Sequence, residues 1–280
     1  MKKIQLTNLS NISDTLFISL LGRAIAAERF PELGFVDPYA EEIVKRIDFN
    51  FNQFIKDNEA MKASALRAKL FDGIVIEFFK RNPEGLAIQL GSGLCSRFKR
   101  VDNGKLKWVD LDLPEVIELK KQFVPENDRF KYLAFSVLDY QWLEKIDIIP
   151  DTPVIIIAEG LLIYLKQEDV NCLLKSICDK FIHFSADVEL VFDAFHRLMV
   201  NRYIQKLQKS VRKTGAKFQW GIYNLEEIIS SHKKLILIAD LELIKHIRLR
   251  LNIISRLFNV LSSGQKLYRI LHFKVENNSN

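Results

Sequence analysis

Leu86-Ala87-Ile88-Gln89-Leu90-Gly91-Ser92-Gly93 is the stretch on which the fold turns. Five mostly apolar residues run straight into two glycines, behind the turn-forming Asn82-Pro83-Glu84-Gly85. The run reads as a strand. Glycines at its C-terminal end let the backbone approach a ligand and expose amide groups at the next helix N-terminus. Downstream, short apolar runs alternate with helical stretches, the signature of a parallel α/β sheet. Residues 107–111, 129–137, 154–158 and 189–193 are the next strands, with helices at 114–123 and 167–181. Val154-Ile155-Ile156-Ile157-Ala158 is apolar on both faces and belongs at the sheet centre, whereas 129–137 is more polar and less buried. Residues 235–239 and 268–275 are the last two strand candidates.

On the N-terminal side, residues 1–82 read as helices. Candidates are 15–28, 38–47 with Asp37 as N-cap and Pro38 at the first position, and 60–79 with Ala63, Leu66, Leu70, Ile74 and Phe78 on one face. After strand five comes a basic helical stretch at 196–213, then Asn224-Leu225-Glu226-Glu227 as a capping box opening a short helix. Leu243, Ile244, Ile247, Leu251, Ile254, Phe258 and Leu261 line one face of a further helix.

The 280 residues are 48% hydrophobic and 27% charged, which excludes a disordered chain, and Glu159 cuts the longest apolar stretches, which excludes a spanning helix. Three cysteines, Cys95, Cys172 and Cys178, lack metal or redox spacing and read as reduced thiols, and the five histidines form no ligand pair, so no metal is expected. Met1-Lys2-Lys3 is followed by no apolar core, so a cytoplasmic protein is expected. The net charge of +6 is concentrated, with 16 Lys/Arg against 4 Asp/Glu over residues 197–274. That excess raises a nucleic-acid surface or an interfacial helix over 243–261. Lys206, Lys209, Arg212 and Lys213 are, however, interleaved with Leu207 and Val211 as on a solvated helix, and no nucleic-acid or membrane partner is expected.

The second strand ends in Asp110-Leu111-Asp112, 19 and 21 residues beyond Gly91. A carboxylate there can accept hydrogen bonds from both hydroxyls of a ribose, or it can cap the helix opening at Pro114. A dinucleotide would want a third glycine where this chain has Ser96; S-adenosylmethionine carries a ribose and no phosphate and tolerates the change. The methyl donor is favoured. Glu159 leaves a fully apolar strand into Gly160, so it either faces a cleft and takes a donor group of the ligand or pairs with a Lys or Arg of the helices.

Gln89-Leu90-Gly91-Ser92-Gly93-Leu94, Trp108-Val109-Asp110-Leu111-Asp112-Leu113-Pro114-Glu115-Val116 and Ala158-Glu159-Gly160-Leu161-Leu162-Ile163-Tyr164 together resemble the leucine carboxyl methyltransferase superfamily. More narrowly, they resemble its branch of tetracenomycin-type polyketide O-methyltransferases. Arg67 with Asp72 is similar to the family's Arg-x4-Asp helix motif, Ser136-Val137-Leu138-Asp139 with Trp142 to its third-strand motif, and Phe218-Gln219-Trp220-Gly221 to a further segment of that branch. The resemblance covers roughly residues 20–223 and departs at two places. Leu94-Cys95-Ser96-Arg97 has Cys where the family usually has Asp, and Ser136 stands where relatives often carry an acid.

The resemblance implies a class I S-adenosylmethionine-dependent methyltransferase, an α/β Rossmann-like fold with a mostly parallel seven-stranded sheet, N-terminal helices and a helical insertion after strand five. One domain over 1–280 is expected: a helical cover (1–82), a cofactor-binding core (83–195), a substrate-side insertion (196–233) and the end of the sheet (234–280). By position, Arg67 pairs with the methionine carboxylate, with Arg23 as a second contact. Gly91, Gly93 and Glu159 line the amino-acid end. Asp112 holds the ribose with Asp110 beside it, and Ser136 and Val137 border the adenine. Tyr164 sits near the substrate entrance, and Tyr164 and His196 are the polar residues to test for catalysis. The expected activity is O-methyl transfer to a small molecule or carboxylate, polyketide-like and other secondary metabolites being classes of such acceptors, with a dinucleotide oxidoreductase or a nucleic-acid methyltransferase as rivals.

Overall fold

The computed structural model describes residues 3–6, 15–182, 187–200, 214–243 and 266–276. One sheet contains β1 (Leu86–Leu90), β2 (Lys107–Asp112), β3 (Phe130–Ala134), β4 (Val154–Ala158), β5 (Val188–Phe195), β6 (Leu235–Glu242) and β7 (Tyr268–Val275). The strand order is β3-β2-β1-β4-β5-β7-β6. β1 to β5 pair in parallel, and β7 runs antiparallel between β5 and β6. Every residue of β1, β4 and β5 is buried, as apolar strands covered on both faces must be. β2 and β3, toward the sheet edge, alternate between buried and open positions. β3 is shorter than its apolar pattern suggests, because Ser136 starts a turn in which Asp139 N–H donates to the Ser136 carbonyl at 3.0 Å.

The strands alternate their side chains between two apolar layers. Ala87, Ile155, Ile157 and Val191 pack against the N-terminal helices, and Ile88, Leu90, Ile156 and Phe192 against the opposite face. Each fully buried Ile or Phe contributes about 1.5–3 kcal/mol relative to leaving it exposed. On the first face lie α1 (Thr15–Ala24), α2 (Ala26–Arg29), α3 (Pro38–Arg46) and α4 (Asn58–Arg81). The single helix expected over 15–28 is interrupted at Ile25. Asp37 caps α3 as expected, its Oδ1 accepting from Ala40 N–H at 3.0 Å. The stripe expected on α4 is rotated. Ala63, Leu70 and Ile74 are half-buried, while Met61, Ala65, Ala68, Phe71, Asp72, Val75 and Phe79 are buried together with Leu66 and Phe78. Small and polar residues shifted the apparent stripe, since Ala65, Ala68 and Asp72 face inward.

α5 (Arg97–Val101) follows β1, α6 (Pro114–Lys121) follows β2, α7 (Trp142–Lys145) follows β3, and α8 (Gln167–Phe181) follows β4. After β5, residues Arg197–Val200 make a short 3-10 turn; the rest of the basic stretch at 201–213 lies outside the described residues. So does the stripe from Ile244 to Leu261, leaving Leu243, which is buried. α9 (Glu226–Ser231) opens on the expected capping residues. Asn224 Oδ1 accepts from Glu227 N–H at 3.3 Å, and Glu227 Oε1 reaches back to Tyr223 N–H at 2.8 Å.

Candidate active site

In an open parallel sheet, ligands lie beyond the C-terminal strand ends where the chain order reverses. Here that point is between β1 and β4, since β2 and β3 extend to one side and β5 to the other. The register fixes what meets there. Leu90 lies opposite Leu111, so the next pair is Gly91 and Asp112; Gln89 lies opposite Ile157, which carries Gly91 to Glu159; Ala158 lies opposite Phe192, which carries Glu159 to Asp193. Asp112, Gly91, Glu159 and Asp193 therefore form a row across four adjacent strands. Because β7 is antiparallel to β5, its first residue, Tyr268, pairs with Phe195 and arrives at the same end.

A cavity of about 730 Å³ opens over Asp112, Gly91 and Glu159 of this row. Of the residues expected from the sequence, it is lined by Arg23, Arg67, Gly91, Gly93, Asp112, Glu159 and Tyr164. Gly91 has φ +58°, and a Cβ there would stand 2.8 Å from Leu161 Cδ1, so the turn admits no side chain without displacing Leu161. Gly93 has φ +50°, and its N–H donates to Asp112 Oδ2 at 2.6 Å. Asp112 Oδ1 accepts from Leu113 N–H at 2.7 Å, so this aspartate binds both the glycine turn and the start of α6. Burial raises the Asp112 carboxyl above the ordinary aspartate value despite those two N–H groups.

At the other end of the row, Arg67 comes down from α4. Its Nε donates to Glu159 Oε1 at 2.9 Å, its Nη1 to Tyr268 Oη at 2.6 Å and Asp193 Oδ2 at 3.3 Å, and its Nη2 to Ser19 Oγ at 3.2 Å. A guanidinium has five N–H groups, so one on Nη2 has no acceptor among the described residues and can take a ligand. Asp193 also accepts from Tyr268 Oη–H and, at 2.6 Å, from Gly160 N–H. Burial alone would raise the Glu159 carboxyl, but Arg97 and Arg67 beside it prevail and hold it at about 2 against an ordinary 4.5. Asp193, more enclosed, stays above its ordinary value because burial outweighs Arg67.

The pairing of Glu159 with helix arginines, one of the two roles open to it in the sequence, extends into a network. Arg97 donates to Glu159 Oε2 and, through Nε, to Asp72 Oδ1 at 2.7 Å. Arg100 bridges Asp72 Oδ2 and Asp37 Oδ2, each at 2.6 Å, and Arg23 closes on Asp37 Oδ2 at 3.2 Å. Arg67 and Asp72 of the helix motif thus bind different partners. Arg23, Arg67, Arg97 and Arg100 balance Asp37, Asp72, Glu159 and Asp193. Pairing and multiple hydrogen bonds are what make such burial tolerable.

Four expected site residues are not brought to the cavity wall. Asp110 is turned to Lys120 Nζ at 2.6 Å and to Trp108 Nε1 at 2.9 Å, both buried with it, so its carboxylate holds α6 to β2. Ser136 Oγ accepts from Leu138 N–H at 3.3 Å, and the Val137 carbonyl accepts from Trp142 Nε1 at 3.1 Å, so both are spent on the turn after β3. His196 is buried one residue past Phe195, bridged to Ile222, with its Nδ1 accepting from Leu198 N–H at 3.3 Å. Tyr164, in contrast, lines the cavity and stands 5.5 Å from the Phe218 ring. Phe218 packs on Phe195 at 4.7 Å, and Phe195 on Tyr268 at 4.3 Å, which makes an aromatic wall at the end away from Asp112.

Asp193 and Tyr268 were missed in the sequence. Asp193 carried the signal that marked Glu159, a carboxylate in an otherwise apolar strand, but Glu189 in the same strand gives it too. Glu189 lies at the far end, paired with Arg81 at 2.8 Å and His272 at 2.7 Å. The residues present fit an S-adenosyl ligand: a glycine cradle, a carboxylate at the end of β2, an arginine with a spare donor, and Ser92 Oγ, buried in the cavity wall without a partner among the described residues. Among the described residues, no cluster of three or more His, Cys, Asp or Glu is arranged to hold a metal, and no helix is long and apolar enough to cross a membrane.

Residues 17–178 match the family described as leucine carboxyl methyltransferase. Over 217 residues the chain is 32% identical to the tetracenomycin polyketide synthesis O-methyltransferase TcmP of Streptomyces glaucescens, covering 77% of each chain. It is 30% identical to the S-adenosyl-L-methionine-dependent methyltransferase dpfgK of Gibberella zeae, covering 79% of this chain and 78% of that one. Among solved structures, an O-methyltransferase family protein from Burkholderia thailandensis shares the fold with a TM-score of 0.50 at 12% identity, over 96% of this chain and 75% of that one.

Proposed function

The chain belongs to the leucine carboxyl methyltransferase family, and we propose that its cavity holds S-adenosylmethionine with the amino-acid end at Arg67 and Glu159 and the ribose at Asp112. The fold is that of a class I methyltransferase, and the protein is an S-adenosylmethionine-dependent O-methyltransferase acting on a small molecule. The relatives named above support neither the oxidoreductase nor the nucleic-acid reading. The observation that carries the assignment of the site is the row of Asp112, Gly91 and Glu159 lining one cavity, with the buried Asp193 next in the row.

When bound, the cofactor supplies an electrophilic methyl group on a sulfonium. The chain's own residues have to align an oxygen with it and exclude water. In this reading the spare N–H of Arg67 takes the methionine carboxylate, Glu159 takes the ammonium, and Arg23 and Arg97 neutralise what remains around them. The turn at Gly91 and Gly93 lets the backbone lie against the ligand, and Ser92 Oγ gains a partner.

The acceptor end is the aromatic wall of Tyr164, Phe195, Phe218 and Tyr268, with the exposed Lys217 on its rim. A flat, largely apolar acid of polyketide type suits these surfaces. Burial pushes the Tyr164 phenol up, so it stays protonated and donates a hydrogen bond, and the Lys217 ammonium attracts an anion. A carboxylate acceptor arrives already ionised and needs no base, whereas a phenol would need one. We therefore favour methyl-ester formation, in the cytoplasm, where Cys95, Cys172 and Cys178 stay reduced.

The test is transfer of labelled methyl from S-adenosylmethionine to a panel of aromatic acids and their phenolic counterparts, followed by mild base. Base-labile label on the acids supports the reading. Base-stable label on the phenols alone contradicts the carboxylate assignment, and no transfer to any small molecule contradicts the acceptor class.

A further inference from the structure

The bonds that hold the Arg67 guanidinium are unequal. Its Nη1 lies 2.6 Å from Tyr268 Oη but 3.3 Å from Asp193 Oδ2, beyond the ~2.7–2.9 Å of a good charge-assisted bond. The phenol is therefore the near partner. Its single O–H is spent on Asp193 Oδ2, which leaves only lone pairs to face the arginine. Asp193 is fully buried, and Gly160 N–H holds its other oxygen at 2.6 Å. Asp193 thus orients Tyr268, and Tyr268 orients Arg67. The backbone closes a further side, since a Cβ on Gly160 would stand 2.9–3.1 Å from Nη2, Nη1 and Cζ of Arg67 at once. Tyr268 also lines the cavity, with its ring on Phe195 at 4.3 Å. The ring belongs to the aromatic wall and the hydroxyl to the arginine.

We propose that Tyr268 and Asp193 are positioning residues for Arg67, a relay behind the cavity wall that fixes the guanidinium with its remaining N–H available to the ligand, and that this relay gives the site its preference for ligands carrying an amino-acid end. The proposal rests on the reading of the cavity given above and adds the source of that preference.

An arginine side chain has many rotamers, and a site that must order one on binding loses affinity in doing so. Here the ordering is done on folding, by groups that the ligand does not touch. Without the phenol oxygen, Nη1 keeps only its 3.3 Å contact, and attraction draws the guanidinium toward the Asp193 carboxylate. Asp193, having lost its O–H donor, then competes more strongly with the ligand carboxylate for Arg67. Both effects fall on the amino-acid end. The ribose end is spared, because Asp112 and the glycine turn stand on the far side of Glu159 in the row.

Tyr268→Phe keeps the ring in the wall and removes only the oxygen. The experiment is calorimetry of S-adenosylhomocysteine and of 5′-methylthioadenosine, its counterpart without the amino-acid end. It is run on the full natural chain, Tyr268→Phe, Arg67→Ala and the double variant. In Tyr268→Phe, affinity for S-adenosylhomocysteine is expected to fall roughly tenfold, while that for methylthioadenosine stays within about twofold. In the Arg67→Ala background the same change is expected to cost nothing further, since the phenol has no guanidinium left to hold. An equal fall for both ligands, or additive losses in the double variant, overturns the relay and makes Tyr268 a wall residue only. A preference kept in Tyr268→Phe but lost in Arg67→Ala overturns the relay and leaves the reading of the cavity standing. A folded natural chain that binds both ligands equally overturns that reading itself. Asp193→Asn is the second arm and is expected to show the same selective loss; a preference kept there overturns the part given to Asp193.

Discussion

Arg67 Nε donates to Glu159 Oε1 at 2.9 Å across 92 residues of sequence, and this bond ties the long helix α4 to the end of the central strand β4. The pair stands at the cavity, and Arg97 holds the other oxygen of the same carboxylate. Glu159→Gln leaves two buried guanidinium groups short of an anion. The expected loss of stability is about 3–5 kcal/mol, the range for breaking one side of a buried pair. Urea unfolding of the two proteins at neutral pH measures it, and a loss below about 1 kcal/mol would show the network to be slack.

The same carboxylate predicts an acid dependence. Its value in the folded protein is about 2 against an ordinary 4.5, so its contribution is complete above 4.5 and is lost as pH falls through about 2. Asp112 and Asp193 are raised, and they act the other way: their relative contribution is complete below the ordinary aspartate value and is lost as pH rises through the raised values. The difference between natural protein and Glu159→Gln isolates the first group. The natural protein should lose more stability than the variant over that acid window; parallel curves would contradict the assignment.

Gly160 has φ +64°, and a Cβ there would lie 2.9–3.1 Å from the Arg67 guanidinium. Gly160→Ala should cost about 1–2 kcal/mol of backbone strain and also push Arg67 aside, lowering affinity for S-adenosylhomocysteine. Gly104, with φ +81° and nothing within 4 Å, is the control. Gly104→Ala should show the strain without the loss of affinity. Equal affinities for the two variants would argue against Arg67 as the anchor.

Asp110 and Asp112 are separated by one residue and should behave differently. Asp110→Asn breaks the buried pair with Lys120 and is expected to cost about 3–5 kcal/mol, while the folded fraction keeps its affinity for ligand. Asp112→Asn weakens a charge-assisted contact with the ribose, worth about 1.5–3 kcal/mol, or at least tenfold in affinity. Thermal unfolding and calorimetry on both variants check this; a tenfold affinity loss in Asp110→Asn would return that residue to the site.

Much of this architecture is legible in the chain itself. β1, β4 and α8 stand where apolar runs and helical spacing put them, because both are set by nearest-neighbour pattern and burial. Asp112 and Glu159 are legible because a carboxylate at the end of an apolar strand is costly without a partner or a ligand. Arg67 came with the family's helix motif, and Arg23 only as a second contact implied by the resemblance. The remainder depends on which way a side chain turns after the strand ends. Asp110 and Asp112 share a face of β2, yet Lys120 claims the first and the glycine turn the second. Asp193 looked no different from Glu189 until the antiparallel return of β7 brought Tyr268 to one end and His272 toward the other. His196 followed a strand end as Glu159 does, but Ile222 closes over it. The rotation of α4 was hidden by Ala65 and Ala68, whose small apolar side chains register weakly beside Leu70 and Ile74.

The account stands on Arg67 and Glu159 gripping the amino-acid end of the cofactor. Calorimetry of S-adenosylhomocysteine and of 5′-methylthioadenosine, which lacks that end, on the natural chain and on Arg67→Ala tests it most directly. The prediction is binding of S-adenosylhomocysteine with a Kd on the order of micromolar, roughly tenfold or more tighter than methylthioadenosine, and loss of that difference in the variant. A folded natural chain that binds neither ligand, or binds both equally, would contradict it.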